Sequence, residues 1–233
     1  MYSKETVQKV VKTLVEKTAH YMMLSPDKVK ECISTGNSKI GKVLNISLAP
    51  ILTCANCVQC MHYCYDVNAC ARYANTVVDA RARNTALFRL DRNEFFARLD
   101  RKMARRRTNK ALRFHVSGDI VDYDHFDRMM AIAIKYAPQG WDIWTYTKNY
   151  AVVNEWIARH GGNKDAVLKY MKVMFSEWKG LPMVNPYGMP VFSCTMKGDP
   201  LPAGVHVCPG NCDLCRTARR GCVVGETSTV REH

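Results

Sequence analysis

Leu112-Arg113-Phe114-His115-Val116-Ser117-Gly118-Asp119 is the stretch on which the fold class turns. Its first five residues read as a strand, and Ser-Gly-Asp is turn chemistry that ends it. Residues 124–136 follow with Phe126, Met129, Met130, Ala133 and Tyr136 on one side of a helix, which Pro138 stops. Residues 142–146 (DIWTY) then return to a strand. The same alternation continues outward. A strand is expected at residues 43–48, a helix at 150–160 closed by Gly161-Gly162, and a short helix after Asn163. Further strands are expected at 172–177, 189–195 and 205–208. About six strands with helices between most of them describe an α/β protein with a parallel sheet. Such units either close partly into a barrel or spread as an open sheet, and the pattern leaves that choice open.

Residues 77–107 read as helical with a break near Leu90. Phe95, Leu99 and Met103, at i, i+4 and i+8, are expected to be buried, leaving Arg98, Arg101, Lys102, Arg105 and Arg106 outward. Upstream, Val7, Val10, Val11, Leu14 and Val15 form one helical stripe, and a second helix is expected to open at Ser25-Pro26 and end before Gly36. The expected organisation is a helical N-terminal cap over residues 1–36, an α/β cysteine-cluster domain over 37–222, and a short polar mobile tail over 223–233.

The chain of 233 residues is 47% hydrophobic and 24% charged, which is ordinary globular composition. No stretch is long and apolar enough to span a membrane. Lysines interleave the apolar positions of the N-terminus, which does not read as a signal peptide, so the cytosol is the expected compartment. Net charge is +13 and uneven: residues 72–113 hold thirteen Lys/Arg against four acids (Asp79, Asp91, Glu94, Asp100). This basic segment from Arg72 to Arg113 fits either a nucleic-acid partner or a solvated helix face.

Eleven cysteines, an odd number in a chain expected to stay reduced, favour metal over a disulfide framework. Cys54-Ala-Asn-Cys57-Val-Gln-Cys60-Met-His-Tyr-Cys64 has the spacing of a bacterial ferredoxin run, with Tyr65 in the position of its proline. It points to a [4Fe–4S] cluster over zinc. Cys208, Cys212 and Cys215, with Cys222, suit a cluster or a closed tetrahedral zinc site equally. The two groups make one shared centre or two. Cys32 and Cys194 read as ordinary thiols, and Cys70 is left unassigned. Cys54 follows the first expected strand, Gly118-Asp119 the second, Thr147-Lys148 the third and Cys208 the last, so the candidate chemistry falls on one sheet edge.

Asn37-Ser-Lys-Ile-Gly-Lys42, Ile46-Ser-Leu-Ala-Pro50, Thr53-Cys54, Cys60-x3-Cys64-Tyr65, Arg113 to Asp119, Trp144-Thr-Tyr-Thr-Lys148, and Cys208-Pro with Cys212-x2-Cys215 together resemble the phage-encoded gene product 88 family. The resemblance covers about residues 36–222. That family is in turn similar to the radical S-adenosylmethionine enzymes. The likeness implies a partial (β/α)6-type barrel, with the host cell's cytoplasm as location. It also implies S-adenosylmethionine as cofactor, Ser117, Gly118, Asp119 and Arg113 binding it, and Asp119 and Lys148 as catalytic residues. Asp119 would pair with the cofactor's ammonium, and Lys148 or Arg113 with its carboxylate or a substrate phosphate.

Plainer readings stand beside these. Asp119 is also common turn chemistry, His115 reads as a packed core histidine, and Trp144 and Tyr146 as core residues or base-stacking platforms. The alternative function is a non-catalytic Fe–S or zinc protein that binds nucleic acid through the basic segment. A nuclease is weaker, since Asp119, Asp122 and Asp124 alone form a poor metal site.

Overall fold

The computed structural model describes residues 2–36, 40–57, 59–196 and 198–231. Asn37, Ser38 and Lys39 of the family-like stretch, and Glu232 and His233 of the expected tail, lie outside the described residues. The strands are β1 (Ile33–Ser34), β2 (Leu44–Ile46), β3 (Ala111–Phe114), β4 (Asp142–Thr147), β5 (Lys172–Ser176), β6 (Val191–Thr195), β7 (His206–Val207) and β8 (Ser228–Arg231). They form one eight-stranded sheet in the order β1-β2-β3-β4-β5-β6-β8-β7. The pairings from β3 through β7 are parallel, as alternation with helices requires. The fold-deciding unit is present as β3, α5 (Tyr123–Tyr136) and β4, with Leu112 opposite Ile143.

The chain divides into two compact units: residues 1–33, 46–106 and 115–119 form the first, and residues 34–45, 107–114 and 120–233 the second.

The first unit holds α1 (Lys4–Met22), α2 (Tyr65–Arg72), α3 (Asp79–Leu90) and α4 (Arg92–Ala104). Ser3 caps α1, its side chain accepting from the Thr6 N–H. The stripe of Val7, Val10 and Leu14 packs with Val67, Cys70 and Val78, so α1 is a wall of this unit's core and no separate cap. The helix expected from Ser25 is a single 3-10 turn, Pro26–Lys28. The reason is Arg98, whose guanidinium takes the carbonyls of Pro26 (2.8 Å) and Val29 (2.6 Å). Asn84 then grips the backbone of Cys32 on both sides, accepting from its N–H (2.7 Å) and donating to its C=O (2.9 Å).

The expected break near Leu90 falls at Asp91, which is extended and caps α4 by accepting from the Glu94 N–H at 2.9 Å. Phe95, Leu99 and Met103 are buried as their spacing requires, with Phe96. Arg98 departs from its expected outward position. It bonds Glu94 (2.7 Å) and Glu31 (3.0 Å) as well as the two carbonyls. Arg81 is likewise internal, bidentate to the buried Asp66 at 2.9 and 3.1 Å, and Arg83 pairs with Asp79. Arg81, Arg83 and Arg98 of the basic segment are therefore paired with carboxylates inside the protein.

The second unit carries strands β3 to β8 with α5, α6 (Tyr150–Arg159), α7 (Asp165–Leu168) and α8 (Cys212–Ala218). Ile143 and Trp144 of β4 and Val173, Met174 and Phe175 of β5 are buried, as befits a parallel sheet covered on both faces. The expected mobile tail is a correction: residues 228–231 form β8, inserted between β6 and β7. Its polar residues are satisfied inside the sheet, with the Thr229 and Thr195 hydroxyls 2.7 Å apart, which is why they read as a tail. Among the described residues, no helix is long and apolar enough to cross a membrane.

Removing one member of the Asp66–Arg81 pair strands the other's charge in a buried site. Asp66→Ala is expected to lower stability by about 3 kcal/mol in urea unfolding. Asp66→Ala with Arg81→Met should recover most of that loss, and a double variant as unstable as the single one would refute the account.

Candidate metal centres

The first cysteine group lies entirely in the first unit. Cys54 sits in a turn, bonded through its N–H to the Ile51 carbonyl (3.4 Å), and the Cys57 N–H returns to the Cys54 carbonyl at 3.1 Å. Cys60 lies in the 3-10 turn Gln59–His62, and Cys64 is the N-cap residue of α2. The compact turns bring four thiols into mutual influence. A hydrogen bond with Cys54 leads the causes that push the Cys57 thiol up to about 12, opposed by one with Cys60 and reinforced by burial and by Cys54 and Cys64. Burial raises Cys64, opposed by the backbone of Val67 and Asp66 in the first turn of α2, which favours its thiolate. Cys70 stands apart: burial and the nearby Asp66 push it up to about 12, and its Sγ lies 3.8 Å from Asp66 Oδ2. It behaves as a packed thiol.

The second group lies entirely in the second unit, on the connection from β7 to β8. Asn211 caps α8 by accepting from the Asp213 N–H, which sets Cys212 and Cys215 three residues apart on one helix face. Arg216 and Arg219 fasten α8 to Asp142 at the start of β4, at 3.4 and 2.6 Å. Cys208, Cys212, Cys215 and Cys222 line one recessed pocket with Trp144 and Tyr146 of β4 and His206 of β7. Burial leads the causes that raise Cys212, Cys215 (to about 11) and Cys222, and neighbouring thiols of the group add to each. Against this, Arg113 favours the charged form of Cys212 and the Tyr146 hydroxyl that of Cys222. Arg113 is itself stacked over the Tyr146 ring at 4.6 Å. His206 Nε2 is 3.5 Å from Cys215 Sγ. Gly221, at φ +68°, fits against that imidazole where a Cβ would lie 2.5 Å from the ring.

None of the cysteines is joined in a disulfide. Among the described residues, no three Cys, His, Asp or Glu side chains stand in the geometry of a coordinated ion.

The expected S-adenosylmethionine residues are placed as follows. The turn after β3 runs beside the segment leading to Cys54: the Leu48 N–H donates to the Ser117 carbonyl (3.0 Å) and the Ser117 N–H to Ser47 Oγ (3.3 Å). Gly118, at φ +79°, presses on Thr53 and Leu48, where a Cβ would lie 2.6 Å from the Thr53 hydroxyl. Asp119 is buried. Lys148 lies over the Trp178 ring at 5.8 Å, and Arg113 belongs with the second cysteine group. Tyr146, Trp144 and His206 were missed as site residues. The available signal was alternation, since 144 and 146 share one strand face and 206 shares another with 208.

A family profile described as gene product 88 matches residues 22–176. The chain belongs to that family. The match takes in the first cysteine group and ends before the second, so the likeness noted at Cys208 to Cys215 lies beyond it. No curated protein and no solved structure matches the chain.

His115, at φ +52°, opens the turn that carries Ser117 to Asp119, and burial pushes it down to about 3. Between about pH 6.5 and 3 the unfolded chain binds a proton at this histidine and the folded chain does not, so stability falls as pH drops through that window. At pH 5 the loss from this residue is about 2 kcal/mol. Denaturant titrations at pH 7 and 5 should show that loss in the parent and not in His115→Gln. Equal losses in both would refute it.

Proposed function

We propose that this gene product 88 family member is an iron–sulfur protein with two tetrathiolate centres. The first holds a [4Fe–4S] cluster on Cys54, Cys57, Cys60 and Cys64, and the second holds a soft metal on Cys208, Cys212, Cys215 and Cys222. The observation that carries the reading is that each unit gathers four thiols of its own. Ionised, such a cluster of buried thiols is unfavourable unless a cation offsets its charge. The ferredoxin-like spacing and the amides of α2 favour a cluster at the first centre. At the second, a single zinc ion held by the four thiolates is the alternative to a cluster.

A radical S-adenosylmethionine enzyme requires a cluster iron without a protein ligand. Four cysteines at each centre, and Gly118 pressed on Thr53 and Leu48, weigh towards closed centres with structural or electron-transfer roles. A partial barrel is part of this reading. Its support is that β4 and β7 line one pocket, although a flat sheet would hold them about 19 Å apart, four spacings of about 4.8 Å. A reducing cytoplasm suits such thiolate centres.

Purified anaerobically, the protein is expected to contain about four irons and four sulfides at the first centre. The second adds either about four more irons or one zinc. Cys57→Ser should remove only the first set and Cys215→Ser only the second metal. EPR of the reduced protein should not respond to S-adenosylmethionine, and a response would restore the radical enzyme. Zinc without iron, after anaerobic reconstitution, would refute the cluster.

A nucleic-acid partner is the second reading, favoured by exposed Arg101, Lys102 and Arg105 at the end of α4. If it holds, affinity for a DNA or RNA duplex falls steeply with salt, and Lys102→Glu with Arg105→Glu reduces that slope by about two. Binding that is absent at low salt would dismiss it.

A further inference from the structure

Trp144 is fully buried on β4, lines the second cysteine pocket, and its indole N–H has no hydrogen-bond partner. A buried indole N–H ordinarily finds an acceptor. The pocket it shares contains Cys208, Cys212, Cys215 and Cys222. A thiol is a weak acceptor, whereas a metal-bound thiolate, with its negative charge, is a good one. The orphaned N–H is thus suited to a state of the pocket in which sulfur is ionised.

Three other groups approach the same sulfurs. Tyr146 lines the pocket beside them, Arg113 stacks over its ring at 4.6 Å and favours charge on Cys212, and His206 Nε2 lies 3.5 Å from Cys215 Sγ, a donor in the tautomer protonated there. Arg113 also brings a positive charge, fixed in place by the Tyr146 ring. Four thiolates around a divalent ion or a cluster leave net negative charge, and groups of this kind around a metal site hold its ligands and offset that charge.

We infer that Trp144 donates its indole N–H to a metal-bound thiolate of the second centre and, with Arg113, Tyr146 and His206, forms a shell of donors that stabilises the charged centre. The inference rests on the second group binding a soft metal, as proposed above. Trp144 acts through the sulfur ligands and is a positioning residue. The shell serves zinc and a cluster alike.

Cobalt(II) alone, titrated into the metal-free full chain, is the probe, followed by its d–d bands and its sulfur-to-cobalt charge-transfer band. Cys215→Ser identifies the phase that belongs to the second centre. Trp144→Phe keeps the ring and removes the N–H. It is expected to weaken that phase about tenfold and to move its charge-transfer band to lower energy, because the sulfur lone pairs lose a donor. Tyr146→Phe, which removes the hydroxyl at Cys222, should move the band in the same direction and guards against misfolding of the tryptophan variant. An unchanged band and affinity in both variants, with the cobalt phase intact, would overturn the inference and leave the metal centre standing. A parent chain lacking the Cys215-dependent phase would remove the centre itself.

Discussion

Four thiols brought within electrostatic reach of one another in a recessed pocket are the constraint that organises much of this protein. Neighbouring thiols at Cys57, and burial foremost at Cys64, Cys212, Cys215 and Cys222, make these five harder to ionise. Such a grouping is tolerable as neutral thiols or as thiolates around a cation. Some neighbours act against the burial and favour charge on sulfur. The backbone at the start of α2 favours charge on Cys64, as Arg113 does on Cys212 and Tyr146 on Cys222. Local backbone gathers the thiols, while Arg113 and Tyr146, distant in sequence, favour charge on those of the second group.

The same economy of charge governs the helices of the first unit. A segment with a large formal excess of positive charge uses several of its arginines internally. Arg98 ties α4 to the chain after α1 by closing two backbone carbonyls and two carboxylates, and Arg81 holds Asp66 in the first turn of α2, beside the first cysteine group. The planar, multiply donating guanidinium explains why these positions are arginine rather than lysine. The positive charge left exposed is concentrated near the end of α4, a smaller surface than the count of basic residues suggests.

Much of the α/β pattern was legible residue by residue. The strand–turn–helix reading at residues 112–136, the strand at 142, the buried spacing of Phe95, Leu99 and Met103, and the break after Leu90 rest on periodicity, capping and proline, which act over a few residues. The failures share a cause. Residues after Ser25 were read as helix because their own cap is good, yet Arg98, some seventy positions away, takes the carbonyls a helix would use. β8 was read as a tail because serine and threonine look solvated until a neighbouring strand satisfies them. The helices α2 and α8 were missed because each begins at a cysteine run that reads as loop.

The sequence by itself determined the alternation of strand and helix, the parallel sense of the strands, and the spacing of each cysteine group, since all three are local properties of the chain. Only the tertiary structure decided what surrounds the thiols. Trp144, Tyr146 and Arg113 meet Cys212 and Cys222 because the sheet inserts β8 between β6 and β7 and brings β4 and β7 to one pocket. That pairing order is a long-range choice among strands of similar composition, and packing, rather than local propensity, makes it.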